Sequence, residues 1–268
     1  MIEVPVRTEV LMGTIVTIHV VAPGTDDAIE RAFGWFREIE ARCTRFDESS
    51  ELRQLTATVG VAVPASAILF EALRFAVTVA EDTDGAFDPT AGSGGDASFR
   101  DIAMDVAHQT VTLRRPLTLD LGAVAKGMAV DTAARELASY RDFAIDAGGD
   151  LYLGGHNPDG DPWSVGIRHP RADDDLIGSL RVSGKAVCTS GDYERGRHIV
   201  DPRSDRASTA CASVTVVAPT AMLADALGTA AFVLGPIDGI RLLERHGVEG
   251  LIVNADLERH ETAGLHLE

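Results

Sequence analysis

Apolar and polar residues alternate loosely between Thr8 and Ala22, with β-branched side chains from Thr14 to Ile18, and this period of two predicts a strand over 8–22. The period then changes. Thr25, Asp26 and Asp27 supply a helix start, and Ile29, Ala32, Phe33, Phe36 and Ile39 recur at helical spacing. A second helix is predicted through "ASAILFEALRFAVTVAEDT", ending near Gly85. "VTL" and "LTLDL" read as short strands on either side of "RRP", and a third helix as roughly Lys126 to Ser139. Short strands follow at "FAIDA", "LYLGG", "WSVGIR", "GSLRVSG", "AVCTS", "RHIV" and "CASVTVVA", separated by Gly, Asn, Asp and Pro. Pro219 and Thr220 open a helix that stops at Gly235. One more helix, "IDGIRLLERHG", precedes a strand at "GLIVNA".

Helices and antiparallel-looking strands are partly segregated, which predicts an α+β fold rather than a βαβ series. There is no repeat or linker, so residues 1–268 are expected to form one domain, with two intimately packed lobes as its finer division. The Gly-rich piece 90–99 reads as a flexible loop inside it.

Composition narrows the function. The chain has 45% hydrophobic and 24% charged residues, ordinary for a globular protein. Its charge is −17, from 24 Lys and Arg against 41 Asp and Glu, a field that repels phosphate backbones and argues against nucleic-acid partners. An anionic ligand would need a local cation or helix N-termini. The apolar runs fall short of a membrane span and the first residues alternate like a strand, so no membrane insertion and a cytoplasmic location are expected. Cys43, Cys188 and Cys211 form no C-x-x-C pair and read as buried free thiols.

Four segments offer chemistry. In "LDLGAVAKGMAVD" (119–131) an apolar strand meets small residues and then Lys126 near a helix start, where dipole and ammonium together make an anion site. A tight turn with a solvated lysine fits the same letters. On "PTAMLADALGTAAFVLG" Asp225 and Thr229 share one face of a helix apolar nearly all round. Their oxygens suit a hard cation such as Mg²⁺; backbone bonds satisfying each side chain locally fit as well. In "GAFDPTAG" Asp88 precedes a proline and must be extended, while Phe87 offers a flat apolar surface. His198, before a "DPRS" turn, has the proton affinity to accept from a hydroxyl, though a lone histidine also fits a structural role.

In order along the chain, "MGT" (12–14), "TRFDESSELRQL", "GAFDPT", "LDLGAVAKGMAVD", "DAGGDLYLGG", "TSGDYER", "HIVDP" and "ASVTVVAPTAMLADALGTAAFVLG" resemble the ApbE-like flavin transferases, FAD:protein FMN transferases, from about residue 9 to 253. The resemblance implies a T-fold-like α+β architecture holding FAD in a cleft between lobes. It implies transfer of FMN from FAD to a Thr or Ser hydroxyl of an acceptor flavoprotein, with release of AMP and a requirement for Mg²⁺, Mn²⁺ being the alternative. Carried over, His198 is the general base. Asp225, Thr229 and the carbonyl of Ala123 are metal ligands. Met12, Phe46, Ala86, Phe87, Asp88, Lys126 and Val200 contact FAD.

The chain departs from the pattern at Ser204-Asp205, where relatives carry Thr-Gly, and in the short segment after "FDPT". Two other functions share the same letters: an FAD pyrophosphatase yielding FMN and AMP, and a non-catalytic flavin-binding protein.

Overall fold

The computed structural model describes residues 5–172, 174–192, 199–204 and 206–268. In chain order its elements are β1 (Val6–Leu11), β2 (Thr14–Val20), α1 (Asp26–Cys43), α2 (Glu51–Thr56), β3 (Val63–Pro64), α3 (Ala67–Asp82), β4 (Ile102–Asp105), β5 (Thr110–Leu113), α4 (Gly122–Leu137), β6 (Phe143–Ala147), β7 (Asp150–Gly154), β8 (Trp163–Arg168), β9 (Leu176–Val182), β10 (Lys185–Gly191), β11 (Val200–Asp201), β12 (Arg206–Ala207), β13 (Cys211–Ala218), α5 (Ala221–Arg245), β14 (Glu249–Asn254) and β15 (Arg259–Glu261).

Eight strands form one sheet in the order β1-β2-β6-β7-β10-β13-β14-β15. Every neighbouring pair in it is antiparallel. The fold is therefore mixed α+β around a large antiparallel sheet. Alternation assigns the faces. Val16, Ile18, Ile145, Val214 and Val216 point to the helices, where they join Phe33, Phe36, Phe70 and Phe232 in the larger core. Val187, Val217, Leu251 and Val253 point the other way and are covered by Ile167, Leu180 and Val182 of the β8–β9 hairpin. With both faces covered, all eight residues of β13 are buried.

The first predicted strand is a hairpin instead. Met12 and Gly13, both at positive φ (52° and 71°), turn the chain between β1 and β2. Both arms lie in one sheet, so the hydrophobic alternation runs on through the turn. "LTLDL" pairs with no strand among the described residues; its Asp120 amide donates to the Pro89 carbonyl (2.8 Å). The third helix begins a turn early, at Gly122, because the Asp120 carboxylate accepts from the Gly122 amide (2.8 Å). Gly235 (φ 82°, ψ 177°) interrupts α5, separating the two helical segments expected there. Across that kink α5 is long and apolar enough to span a membrane, contrary to the expectation from single apolar runs, but 61% of its apolar window is buried against the rest of the fold. Strands β4 and β15 carry no clear signal in the pattern; each pairs along its length with a neighbour.

The three cysteines are free and buried. Burial pushes the Cys43 and Cys211 thiols up to about 12, so they act as small apolar side chains.

Candidate functional site

The site forms where α4 and α5 cross. Gly127 makes the crossing possible: a Cβ there would lie 2.5 Å from the Met222 Cα and 2.6 Å from its nitrogen. One turn further along α4, the Asp131 carboxylate accepts from the Ala221 and Met222 amides (2.7 and 3.0 Å). These are orphan donors in the first turn of α5, which Thr220 caps with its hydroxyl. Burial pushes the Asp131 carboxyl up to about 6 against the pull of those two amides.

Lys126 adjoins Gly127 and turns to the sheet. Its ammonium pairs with Asp150 at 2.5 Å and donates to the Ala147 carbonyl at 3.3 Å, at the two ends of the β6–β7 turn. Burial works against that ammonium, but the carboxylates of Asp150 and Asp225 outweigh it and hold the lysine above its ordinary range. Lys126 therefore stays charged. The chain holds only two lysines, the other being Lys185.

Gly148, at φ +62° in that turn, packs tightly: a Cβ there would be strained and would fall 2.0 Å from the Thr14 hydroxyl, forcing Thr14 to move. This close approach sets the Met12–Gly13 turn against the lysine's anchor. Cys188, opposite Asp150 on β10, contacts the Ala221 carbonyl (3.5 Å). Burial, with Asp150 and Asp225 adding to it, pushes its thiol well up; it is not a thiolate nucleophile.

Asp225 is buried, at 8% exposure, and its charge reaches Lys126. Thr229 lies one turn on and is half-buried. Gly228 between them faces Ser190 of β10, whose hydroxyl would sit 3.3 Å from a Cβ, so its low helix propensity is offset by close packing. Ala123 lies one turn before Lys126 on α4. The Asp225 carboxylate and Thr229 hydroxyl, one turn apart on α5, and the Ala123 carbonyl on α4 are hard-oxygen donors of the kind a cation sharing its shell with water and phosphate takes. Among the described residues no three His, Cys, Asp or Glu cluster as a self-sufficient metal site.

The other expected positions have the following surroundings. Phe46 is 84% exposed with the Arg45 guanidinium over its ring (4.7 Å), and Arg45 pairs with Asp120 at the entry to α4. Ala86 and Phe87 are buried in the core, so the Phe87 ring is not the exposed surface expected of it. Both Asp88 oxygens are taken by local donors: Thr90 amide and hydroxyl (2.8 and 2.7 Å) and Phe99 amide (3.0 Å). Val200 pairs with Ala207, and this hairpin is tied to α5 by Ser208, which donates to the Phe232 carbonyl (3.1 Å). His198 and Asp205 lie outside the described residues.

Asp131, Asp150 and Gly127 were missed as members of the site. Asp150 had a signal, a carboxylate heading the otherwise apolar "DLYLG", since a buried acid demands a cation.

The sequence pattern of the ApbE family matches residues 12–252, and the chain belongs to that family. It is 30% identical to the FAD:protein FMN transferase of Treponema pallidum over 97% of this chain and 87% of that protein. With the enzyme of that name from Haemophilus influenzae it shares 27% identity over 82% of this chain and 76% of that one. The alignment with the Rhodobacter capsulatus enzyme, 36% identical, spans 56% of this chain and 30% of that protein. The solved ApbE protein of Thermotoga maritima superposes with TM-score 0.89 at 26% identity, covering 97% of each chain. The Vibrio cholerae flavin transferase ApbE gives 0.88 at 23% and shares the fold.

Proposed function

We propose that this chain transfers FMN from FAD to a Thr or Ser hydroxyl of an acceptor flavoprotein and releases AMP. The observation that carries this reading is the Lys126–Asp150 pair beside buried Asp225. That pair supports the reading by giving a chain of net charge −17 a fixed, charged lysine beside a second buried carboxylate. The finer architecture belongs to the same proposal: one T-fold-like domain with FAD in a cleft between two lobes.

The acceptor oxygen attacks the FMN phosphorus, the bond from that phosphorus to the bridging oxygen breaks, and AMP leaves with the bond's electron pair. The hydroxyl proton passes to the imidazole of His198, a role that rests on the family pattern. Lys126, locked by Asp150 and the Ala147 carbonyl, holds a diphosphate oxygen without having to reorganise. Asp225, Thr229 and the Ala123 carbonyl would hold Mg²⁺, or Mn²⁺ in its place. When bound, that ion supplies neutralisation of the diphosphate charge. Met12, Phe46, Val200 and the 86–88 turn would frame FAD. With the Phe87 ring in the core and the Asp88 oxygens engaged, that turn contributes its backbone and shape.

The test is incubation with FAD, Mg²⁺ and an acceptor flavoprotein expressed without its flavin, read as flavin fluorescence on the denatured acceptor. His198→Ala is expected to bind FAD and label nothing; labelling at the wild-type rate would remove the base assignment. Asp225→Ala is expected to shift the Mg²⁺ titration to higher concentration, and an unchanged titration would take that residue out of the site. Rapid multiple-turnover AMP release without acceptor would identify a pyrophosphatase instead.

A further inference from the structure

The face of the large sheet away from the helices is only partly covered, and a groove of about 640 Å³ runs between it and β8. β8 is anchored at its start by Trp163, whose indole donates to the Gly154 carbonyl (2.9 Å) and meets His19 edge-on. The groove touches all six residues from Trp163 to Arg168. Successive side chains of a strand point to opposite faces, so a cavity that meets six in a row runs along the strand's edge.

That edge is open. Among the described residues β8 pairs only with β9. The ladder fixes which groups it offers. Ser179 of β9 exchanges both backbone bonds with Glu268 on its far side (3.0 and 2.9 Å). Its partner across the hairpin, Gly166, is thus in a non-hydrogen-bonded pair, as is Ser164 opposite Arg181. The N–H and C=O groups of Ser164 and Gly166 therefore point away from β9, and both residues are exposed.

The groove's lining includes Gly148 and Gly149, the turn flanked by the Ala147 carbonyl and Asp150 that hold Lys126. Its lining carries one charge of each sign, Asp146 and Arg168, among apolar and hydroxyl side chains. This matches a near-neutral extended segment and disfavours a strongly charged one.

We infer that the β8 edge captures an extended, near-neutral segment of the acceptor protein as an added strand, directing its hydroxyl residue past the β6–β7 turn to the transfer site. This rests on the transferase reading. The test is Ser164→Pro, which removes one outward N–H that no described residue accepts from, at an edge where proline is tolerated, with Ser164→Ala as control. Using an acceptor that the wild-type protein labels, Ser164→Pro is expected to raise the acceptor KM at least ten-fold. kcat, FAD Kd and Tm should stay unchanged, and Ser164→Ala should match wild type. An unchanged KM overturns the inference and leaves the transferase reading standing. A wild-type protein that labels no acceptor overturns both. Should the proline variant fail to fold, p-benzoylphenylalanine at position 164 is expected to crosslink to the acceptor on irradiation. Crosslinking only to a second copy of the chain would assign the edge to self-association and overturn the inference.

Discussion

Gly127→Ala sets two opposed effects against each other. Alanine in a helix interior is favoured over glycine by about 1 kcal/mol. The added methyl, however, would lie 2.5, 2.6 and 2.7 Å from the Met222 Cα, the Met222 nitrogen and the Ala221 carbonyl carbon. Unstrained carbon contacts sit at about 3.5–4.0 Å, so the helices must separate by about 1 Å. The opposing atoms are backbone, and no rotamer relieves the contact. Overpacking of this kind costs about 1–3 kcal/mol. The same shift stretches the two Asp131 bonds to the start of α5, worth about 1 kcal/mol as a cap. The net expectation is a loss of about 2 kcal/mol, or roughly 4–8 °C in Tm for a chain of this size. Denaturant unfolding should show a lower midpoint at unchanged slope, and flavin transfer should fall more than stability does, because Asp225 rides on α5. A variant as stable as wild type, or more so, would refute the claim that the two helices touch here.

Asp131 supplies a pH dependence. A buried carboxyl raised to about 6 binds its proton more tightly folded than unfolded, so its contribution to stability falls as pH rises from about 4 to about 6. Asp131→Asn should therefore show its largest deficit against wild type at pH 4 and below, with the gap narrowing by about 2 kcal/mol between pH 4 and pH 6 in chemical denaturation; a constant gap would contradict the raised carboxyl. Asp150→Asn strips Lys126 of its nearest carboxylate and Lys126→Met strands a buried one, each costing about 3–5 kcal/mol, while the double variant should be less destabilised than either single. Additive losses in that cycle would show that the two side chains do not interact.

How much of this was legible in the sequence depended on whether the physics was local. The long helices read directly from their helical period, and the later strands from short apolar runs set off by turn residues, because both signals lie within a few neighbouring residues. The β1–β2 hairpin did not, since Met12 occupies a left-handed turn position that sequence rules reserve for Gly, Asn or Asp. The early start of α4 was hidden because its helix-starting acceptor is Asp120, ahead of an apolar Leu121. Lys126, Asp225 and Thr229 stood out as polar letters in apolar or small-residue surroundings. Their neighbours Gly127 and Asp131 did not, because their reasons lie about ninety residues away at the start of α5. What the Phe87 and Asp88 side chains touch was hidden for the same reason: the fold buries the ring and supplies the acid with the Phe99 amide from eleven residues on.

One stretch of α4 thus performs two separable tasks. Gly127 and Asp131, four residues apart, share a face and hold the first turn of α5, which fixes the height of Asp225 one turn further along. Lys126, one residue aside, faces the β6–β7 turn and is charged because that turn delivers Asp150. The ammonium and the Asp225 carboxylate are positioned from the same helix but by different contacts. Lys185 has no such frame: its ammonium bridges to Glu249 at the surface (3.2 Å) and holds no buried carboxylate. A cation buried in so acidic a chain must be paired and yet remain ionised. Asp150 meets both conditions first, and Asp225 beyond it adds to the second.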